Sequence, residues 1–314
     1  MTELRLGALI WNQYTTWDDM LAAGQRADRL RFDDLWTWDH LYPIVGSSNG
    51  PILEGWLALA AWAASTERVR LGLMVGANPF RNPALVAKMA TTLDHISHGR
   101  AILGIGAAWF EEEHIAYGLP FGSGPPERLR WLAEALPIMR GMLRGEEPSA
   151  VGPHYAMKSV RNLPAPVQER LPLLVGGGGE QVTLKLVARY ADANNVGGTV
   201  ESIARKEAIL VQHCETIGRD PAEIERTCGM GVVVIRDSRE EARRVYADIV
   251  ARNGDSKAWE NQPVGTPEDV AAYIAERRAI GYHHLIAGFP APHDEESMTR
   301  LAGEVRAMSK RDAG

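Results

Sequence analysis

The chain has 314 residues, of which 45% are hydrophobic, 24% charged and 7% aromatic. This composition is typical of a globular protein and excludes a disordered, collagen-like or coiled-coil chain. The 34 Lys and Arg residues against 40 Asp and Glu residues give a net charge of -6, and no basic run exceeds a few residues. Binding to nucleic acid or to membranes is therefore not expected. A small-molecule substrate is the expected partner.

Short apolar runs alternate with longer amphipathic segments in the first hundred residues, as strands alternate with crossover helices. The predicted strands are residues 4–10, 34–38, 69–75 and 101–106. Thr16 and Asp19 have the spacing of a capping box at the start of the first helix. Glu54 is interpreted as an acidic residue at the start of the second helix, with a role as a further acid in the site as the alternative.

The alternation pauses between residues 107 and 171, a stretch rich in Gly and Pro that is too long for a plain connection. We interpret it as an insertion around one helix, Glu127 to Leu143. Further strands are predicted at 173–175, 193–196, 227–235 and 284–287. Helices are predicted to start at Glu180, and next to Ser238 and Thr266.

Eight strands alternating with helices predict the α/β class, and in it a (β/α)8 TIM barrel with an insertion after strand 4, in one domain spanning residues 1–314. No G-x-G-x-x-G follows the first strand, which disfavours an open dinucleotide-binding sheet. Active sites of such barrels lie at the carboxyl ends of the strands, so the residues there are the candidates.

Two indoles, Trp11 and Trp38, lie at predicted strand ends together with several Asn and Gly residues. This set suits a planar heterocycle that stacks on apolar groups and is hydrogen-bonded along its edge. The alternative for each indole is core packing.

Asp39 and His40 form the strongest titratable pair, since His exchanges a proton near neutral pH and the carboxylate can bond the ring or a ligand. Both can face a site only if the strand has already turned into its loop. The alternative is a solvated Asp and a His bonded to backbone.

A run of four glycines lies between a predicted strand and a predicted helix. Backbone N–H groups without neighbouring Cβ atoms can close on an anion, so the run Gly176, Gly177, Gly178, Gly179 and Glu180 is a candidate phosphate site. The alternative is a tight turn without a ligand.

Cys214 and Cys228 match no disulfide framework and no metal-ligand spacing, and no metal site is predicted. No apolar run reaches the length of a membrane span and no signal segment is recognised, so a cytoplasmic location is expected.

Several segments together resemble the luciferase-like superfamily, and within it the subgroup that uses the deazaflavin coenzyme F420. The similarity runs in order over about residues 4–308. Its segments are 36–41, 80–89, 99–114, 176–180, 188–192 and 265–270.

The resemblance assigns roles that the residue pattern alone does not. It implies that Asp39 contacts the edge of the deazaflavin and that His40 lies in the substrate pocket. It also implies a non-proline cis peptide between Met74 and Val75 beneath the ring. Gly106 and Ala107 would border the ring and its ribityl chain, and the glycine run would hold the phosphate. Lys158 and Arg161 would be weak partners for an acidic tail.

The implied activity is hydride transfer between C5 of F420 and a small organic substrate, with His40 exchanging the proton and Trp11, Trp38 and Trp109 as pocket walls. Ala108 and Trp109 stand where sugar-phosphate dehydrogenases of the family carry a glutamate, which disfavours that substrate. The alternatives are a monooxygenase that uses FMN and oxygen, and a non-catalytic cofactor carrier. A homodimer is expected, since symmetric dimers are common and apolar outer helices permit one.

Overall fold

The computed structural model describes residues 3–255 and 259–311. The strands of this part are β1 Arg5–Ile10, β2 Asp34–Thr37, β3 Arg70–Leu73, β4 Gly76–Ala77, β5 Leu103–Gly106, β6 Ala150–Val151, β7 Ala156–Met157, β8 Leu173–Gly176, β9 Ala193–Val196, β10 Glu225–Val232, β11 Val234–Ile235, β12 Val264–Gly265 and β13 His284–Phe289. The α-helices are α1 Trp17–Arg29, α2 Gly55–Ser65, α3 Pro83–Ile96, α4 Glu111–Ala116, α5 Pro125–Leu143, α6 Thr183–Tyr190, α7 Val200–Thr216, α8 Arg239–Arg252, α9 Pro267–Ala279, α10 Glu295–Arg300 and α11 Arg306–Arg311.

The described chain divides into two compact units. The first contains residues 3–70, 196–204, 226–255 and 259–311, and the second contains residues 71–195 and 205–225. The prediction of a single domain over 1–314 stays a prediction.

In the first unit, four strands pair in parallel in the order β2-β1-β13-β10. The six residues of β1 pair along their whole length with β13, from Arg5 opposite His284 to Ile10 opposite Phe289. Leu6, Ala8 and Ile10 are fully buried, as the apolar run predicts for a strand covered on both faces.

In the second unit, the parallel order is β9-β8-β5-β4. β8 is buried over Leu173, Leu174 and Val175 and ends at the first residue of the glycine run. The carboxyl ends of β5, β8 and β9 therefore lie side by side, and the residues that follow them form one rim.

Helix starts agree with the capping signals in the sequence. The Thr16 side chain accepts a hydrogen bond from Asp19 N, and Ser238 accepts one from Glu241 N. Thr266 and Asp269 form a complete capping box at α9. Glu54 is itself the N-cap of α2, where its carboxylate accepts from Leu57 N, so the helix-start interpretation of Glu54 is confirmed.

The non-proline cis peptide that the family resemblance implies between Met74 and Val75 is confirmed. Several predicted boundaries were wrong: the third strand, predicted to reach residue 75, ends at Leu73 and resumes as β4 after this cis bond. The predicted strand 227–235 is divided at Val233 into β10, which pairs with β13, and β11, which pairs with β12. Within β10 the register shifts between Gly229 and Gly231, where Gly231 has φ +82°.

The insertion contains α4 and the antiparallel pair β6–β7 as well as the predicted helix α5, which starts at Pro125. The helix after the glycine run starts at Thr183 and not at Glu180. The glycines therefore precede the first turn of α6 by several residues, and the run is an extended loop.

Candidate functional site

The predicted site residues form two groups, one in each unit. Trp11, Trp38, Asp39 and His40 belong to the first unit, and Met74, Val75, Gly106, Ala107 and the residues 176–180 belong to the second.

In the first unit, the two indoles pack against each other. The ring centroids of Trp11 and Trp38 are 4.6 Å apart, and Trp259 lies 5.2 Å from Trp11. Trp11 is 7% exposed and Trp38 8%, and the apolar cluster around them includes Val232 and Tyr246. Most of each ring is therefore core packing.

Asp39 and His40 follow the end of β2 by two and three residues, so the chain has left the strand where they lie. Asp39 is buried and His40 is half-buried, with its ring 6.4 Å from that of Trp38 in an edge-to-face arrangement. Both residues therefore lie in the loop, as they must if both are to face the same site.

Asn12 connects the loops at this end of the first unit. Its Nδ2 donates to the carbonyl oxygens of Trp38 and Leu53, at 3.3 and 2.5 Å. Its Oδ1 is buried and has no hydrogen-bond partner among the described residues. An N–H group of a bound heterocycle is the kind of donor that this oxygen lacks.

In the second unit, the Val75 side chain forms a half-buried apolar shelf between two glycines. A Cβ on Gly106 would lie 2.8 Å from Val75 Cγ2, and one on Gly176 would lie 2.9 Å from both methyl carbons of Val75. No residue other than glycine fits either position without displacing the shelf. The arrangement gives a flat apolar surface next to the glycine run, which suits one face of a planar ring.

Ala107 is half-buried directly after Gly106, and Met74 is half-buried on the other side of Val75. Asn78 directly follows β4. Its Nδ2 donates to the Tyr155 hydroxyl at 3.1 Å, and its buried Oδ1 accepts no hydrogen bond from any residue that the structure describes. Burial raises the pKa of Tyr155 to about 12, so this phenol stays protonated at neutral pH.

The glycine run is held open by hydrogen bonds from the next strand. Gly177 has φ +113° and donates its N–H to Asn195 O at 3.0 Å. Asn194 Nδ2 donates to the carbonyls of Val175 and Gly177, at 2.7 and 3.1 Å. The backbone carbonyls are thus turned toward β9 and are occupied there.

Cationic side chains from α7 lie beside this loop. The position of a Cβ on Gly178 is 2.8 Å from Lys206 Cδ and 3.3 Å from its Nζ. Arg205 pairs with Glu180 at 2.7 Å, and Thr183 Oγ1 lies 2.8 Å from a Cβ position on Gly179. An ammonium, a hydroxyl and glycine backbone are groups that bind phosphate in proteins, so Lys206, Thr183 and the glycine loop are a candidate phosphate cradle.

Lys206, Thr183, Tyr155 and Trp259 were not predicted from the sequence. Lys206, Tyr155 and Trp259 come from segments far along the chain from the residues they contact, with no fixed spacing to reveal them, whereas Thr183 is close to Gly179 in sequence but belongs to no recognised motif. Arg161, which the resemblance implies as a weak partner for an acidic tail, pairs with Glu147 on the exposed surface of the insertion.

The first unit also has a cavity of about 770 Å³ beside the ends of β9 and β10. Glu201, Glu260 and Glu276 line it, against one guanidinium, that of Arg277, which stacks on Tyr273. Its charged lining does not favour an anionic ligand.

Within residues 3–255 and 259–311, no helix is long and apolar enough to cross a membrane. The same residues contain no cluster of His, Cys, Asp and Glu that could hold a metal ion. Both cysteines are buried free thiols in this part of the structure.

Comparison with known proteins gives one family and a consistent set of structural neighbours. The family model described as luciferase-like monooxygenase matches residues 6–285. An F420-dependent glucose-6-phosphate dehydrogenase of Intrasporangium calvum is 36% identical over 317 residues, covering 89% of this chain and 91% of that protein.

Two solved structures share the fold over nearly the full length. An F420-dependent secondary alcohol dehydrogenase in complex with an F420-acetone adduct has a TM-score of 0.82 at 21% identity, covering 98% of this chain and 99% of that one. The oxygenating constituent of 3,6-diketocamphane monooxygenase of Pseudomonas putida, in complex with FMN, has a TM-score of 0.78 at 19% identity, with coverage of 98% and 99%. The predicted barrel fold is confirmed.

Proposed function

The chain belongs to the luciferase-like monooxygenase family, and on that premise we propose that it is an F420-dependent oxidoreductase. It transfers a hydride between C5 of the deazaflavin and a small organic substrate. The observation that carries this proposal is the Val75 shelf with the glycine loop and Lys206 beside it, in one compact unit. The relative that is 36% identical is named as an F420-dependent enzyme, which supports the same cofactor.

The residues present fit the cofactor in three respects. Val75, flanked by Gly106 and Gly176, offers an apolar face to the ring. The orphaned Oδ1 of Asn78, which lies in the same unit as Val75, offers an acceptor for a ring N–H group. Gly178 and Gly179 with Lys206 and Thr183 offer donors to the phosphate, and Arg205, which pairs with Glu180, adds a cation beside an acidic tail.

The bound deazaflavin supplies a carbon centre that accepts or donates a hydride and does not readily form an oxygen adduct. The chain supplies orientation and a proton. Family resemblance assigns the proton exchange to His40, and Asp39 to the cofactor edge. We propose an uncharged organic substrate, because Ala108 and Trp109 replace the glutamate of the sugar-phosphate dehydrogenases.

A flavin monooxygenase is the second candidate, favoured by the FMN-containing neighbour of similar TM-score. The phosphate cradle does not separate the two, because FMN also ends in a ribityl phosphate. The cationic pair Arg205 and Lys206 favours F420, whose acidic tail continues beyond the phosphate.

Lys206→Met tests the cradle while keeping most of the side-chain length. Loss of one charge-assisted hydrogen bond should weaken deazaflavin binding about tenfold. Lys185→Met, on the exposed face of α6, is the matched control and should leave the affinity unchanged. Fluorescence titration of both variants is the measurement; equal affinities would remove Lys206 from the site.

A further inference from the structure

The second unit has a cavity of its own, which lies at the opposite end of β8 and β9 from the glycine loop. Its volume is about 400 Å³, and five arginines line it. They are Arg140, Arg144, Arg170, Arg189 and Arg219. Arg170 precedes β8 and Asp192 precedes β9, which places the cavity at the amino ends of these strands, whereas the glycine run follows the carboxyl end of β8.

Three of the arginines make ion pairs or hydrogen bonds with neighbouring groups of the protein. Arg140 pairs with Asp192, and Arg170 Nε donates to Asp192 Oδ1 at 2.7 Å. Arg219 donates to the carbonyls of Ala188 and Ala191, both at 2.8 Å, and its Nε donates to Glu223 at 3.1 Å.

The other two arginines have no such partner. Within residues 3–255 and 259–311, the guanidinium groups of Arg144 and Arg189 make no ion pair and no hydrogen bond. The carboxylates that face the cavity or its arginines are those of Asp192, Glu223 and Glu146. Five guanidinium groups against three carboxylates leave an excess of two positive charges.

The local electrostatics agree with this charge excess. Partial burial, together with the charges of Arg140 and Arg170, lowers the pKa of Arg144. Cations placed together without enough carboxylates repel one another, and an anion between them relieves that repulsion.

We propose that this cavity, defined by Arg144 and Arg189 and named here the arginine cavity, is a binding site for the phosphate group of a small molecule. Guanidinium groups match the geometry of phosphate through paired N–H donors. A volume of about 400 Å³ exceeds what a bare phosphate ion needs, and Pro137 and Tyr190 provide non-basic walls for the rest of the molecule. The proposal is independent of the proposed activity.

Calorimetric titration of the full-length protein with inorganic pyrophosphate, at constant ionic strength, tests this site. The double variant Arg144→Gln/Arg189→Gln should weaken binding about tenfold or more. Glu146→Gln removes a carboxylate from the cavity lining and should tighten binding several-fold. Thermal unfolding without added anion verifies that each variant is folded.

Two controls separate this cavity from other anion effects. Arg243→Gln/Arg244→Gln makes the same charge change on the exposed face of α8 and should leave the affinity unchanged. Lys206→Met should leave pyrophosphate binding at the arginine cavity intact, because this substitution changes only the surroundings of the glycine loop. Unchanged binding in the Arg144→Gln/Arg189→Gln variant, or an equal loss in the α8 variant, overturns the proposal.

Discussion

At the scale of single residues, His40 is the proposed proton-exchange group. His40→Ala removes the imidazole from a half-buried loop position after β2 without removing a core side chain. We expect kcat to fall by about 10²- to 10⁴-fold, the usual contribution of a positioned acid or base. Deazaflavin affinity should stay close to that of the wild type. Steady-state kinetics with parallel cofactor titration give both values, and an unchanged kcat removes His40 from the mechanism.

The fit between Gly106 and Val75 is a second prediction at this scale. Gly106→Ala forces a methyl group against Val75 Cγ2, so it should lower the free energy of unfolding by about 1–3 kcal/mol and weaken cofactor binding. Val75→Ala should relieve much of this loss in the double variant, a coupling that a double-mutant cycle measures. Gly303→Ala, which meets no atom within 4 Å, is the control and should be neutral or stabilising. Strictly additive losses would show that the two side chains do not compete for space.

At the scale of elements, the start of α9 links stability to pH. Hydrogen bonds from Arg239 lower the pKa of Asp269 from 3.8 to about 2. Because the folded-state pKa lies below the unfolded one, the stabilisation by this carboxylate is present above 3.8 and is lost as the pH falls toward 2.

The difference in unfolding free energy between the wild type and Asp269→Asn should therefore be constant near neutral pH and shrink below pH 3.8. Urea unfolding at a series of pH values measures it. A difference that grows on acidification would contradict the assigned sign.

The elements themselves show which features a sequence pattern can reveal. Buried apolar runs and capping residues such as Thr16 and Thr266 predicted strands and helix starts, since both signals are local. The family resemblance implied the cis bond at Met74–Val75, but the apolar pattern predicted neither this interruption nor the one at Val233, because a run of apolar residues looks the same whether or not its backbone stays in the sheet. The start of α6 was placed too early for a related reason: nothing in residues 180–182 marks them as non-helical.

At the scale of the whole molecule, the alternation of strands and helices was enough to predict the barrel, and strand ends were enough to find the candidate residues of both units. The partners of those residues were not predictable. Lys206 reaches the glycine loop from α7, and Tyr155 reaches Asn78 from the insertion, because tertiary packing and not sequence spacing brings them together. The arginine cavity was missed for the same reason, since its five arginines come from four separate segments, Arg140 and Arg144 both lying at the end of α5.

Oligomeric state is a prediction that belongs to this scale. Leu57 on α2 and Ile115 on α4 are 74% and 72% exposed, and the expected homodimer would cover apolar side chains of this kind. Size-exclusion chromatography with light scattering should give a mass of two chains. A monomer at micromolar concentration contradicts this prediction.

The proposed cofactor is tested most directly by a paired titration of the purified protein with oxidised F420 and with oxidised FMN, followed by fluorescence at moderate salt. Tight binding of F420 with much weaker binding of FMN is the predicted result, because Arg205 and Lys206 provide cations for the acidic tail that only F420 carries. Tight binding of FMN with weak binding of F420 would contradict the account and assign the chain to the oxygen-dependent monooxygenases.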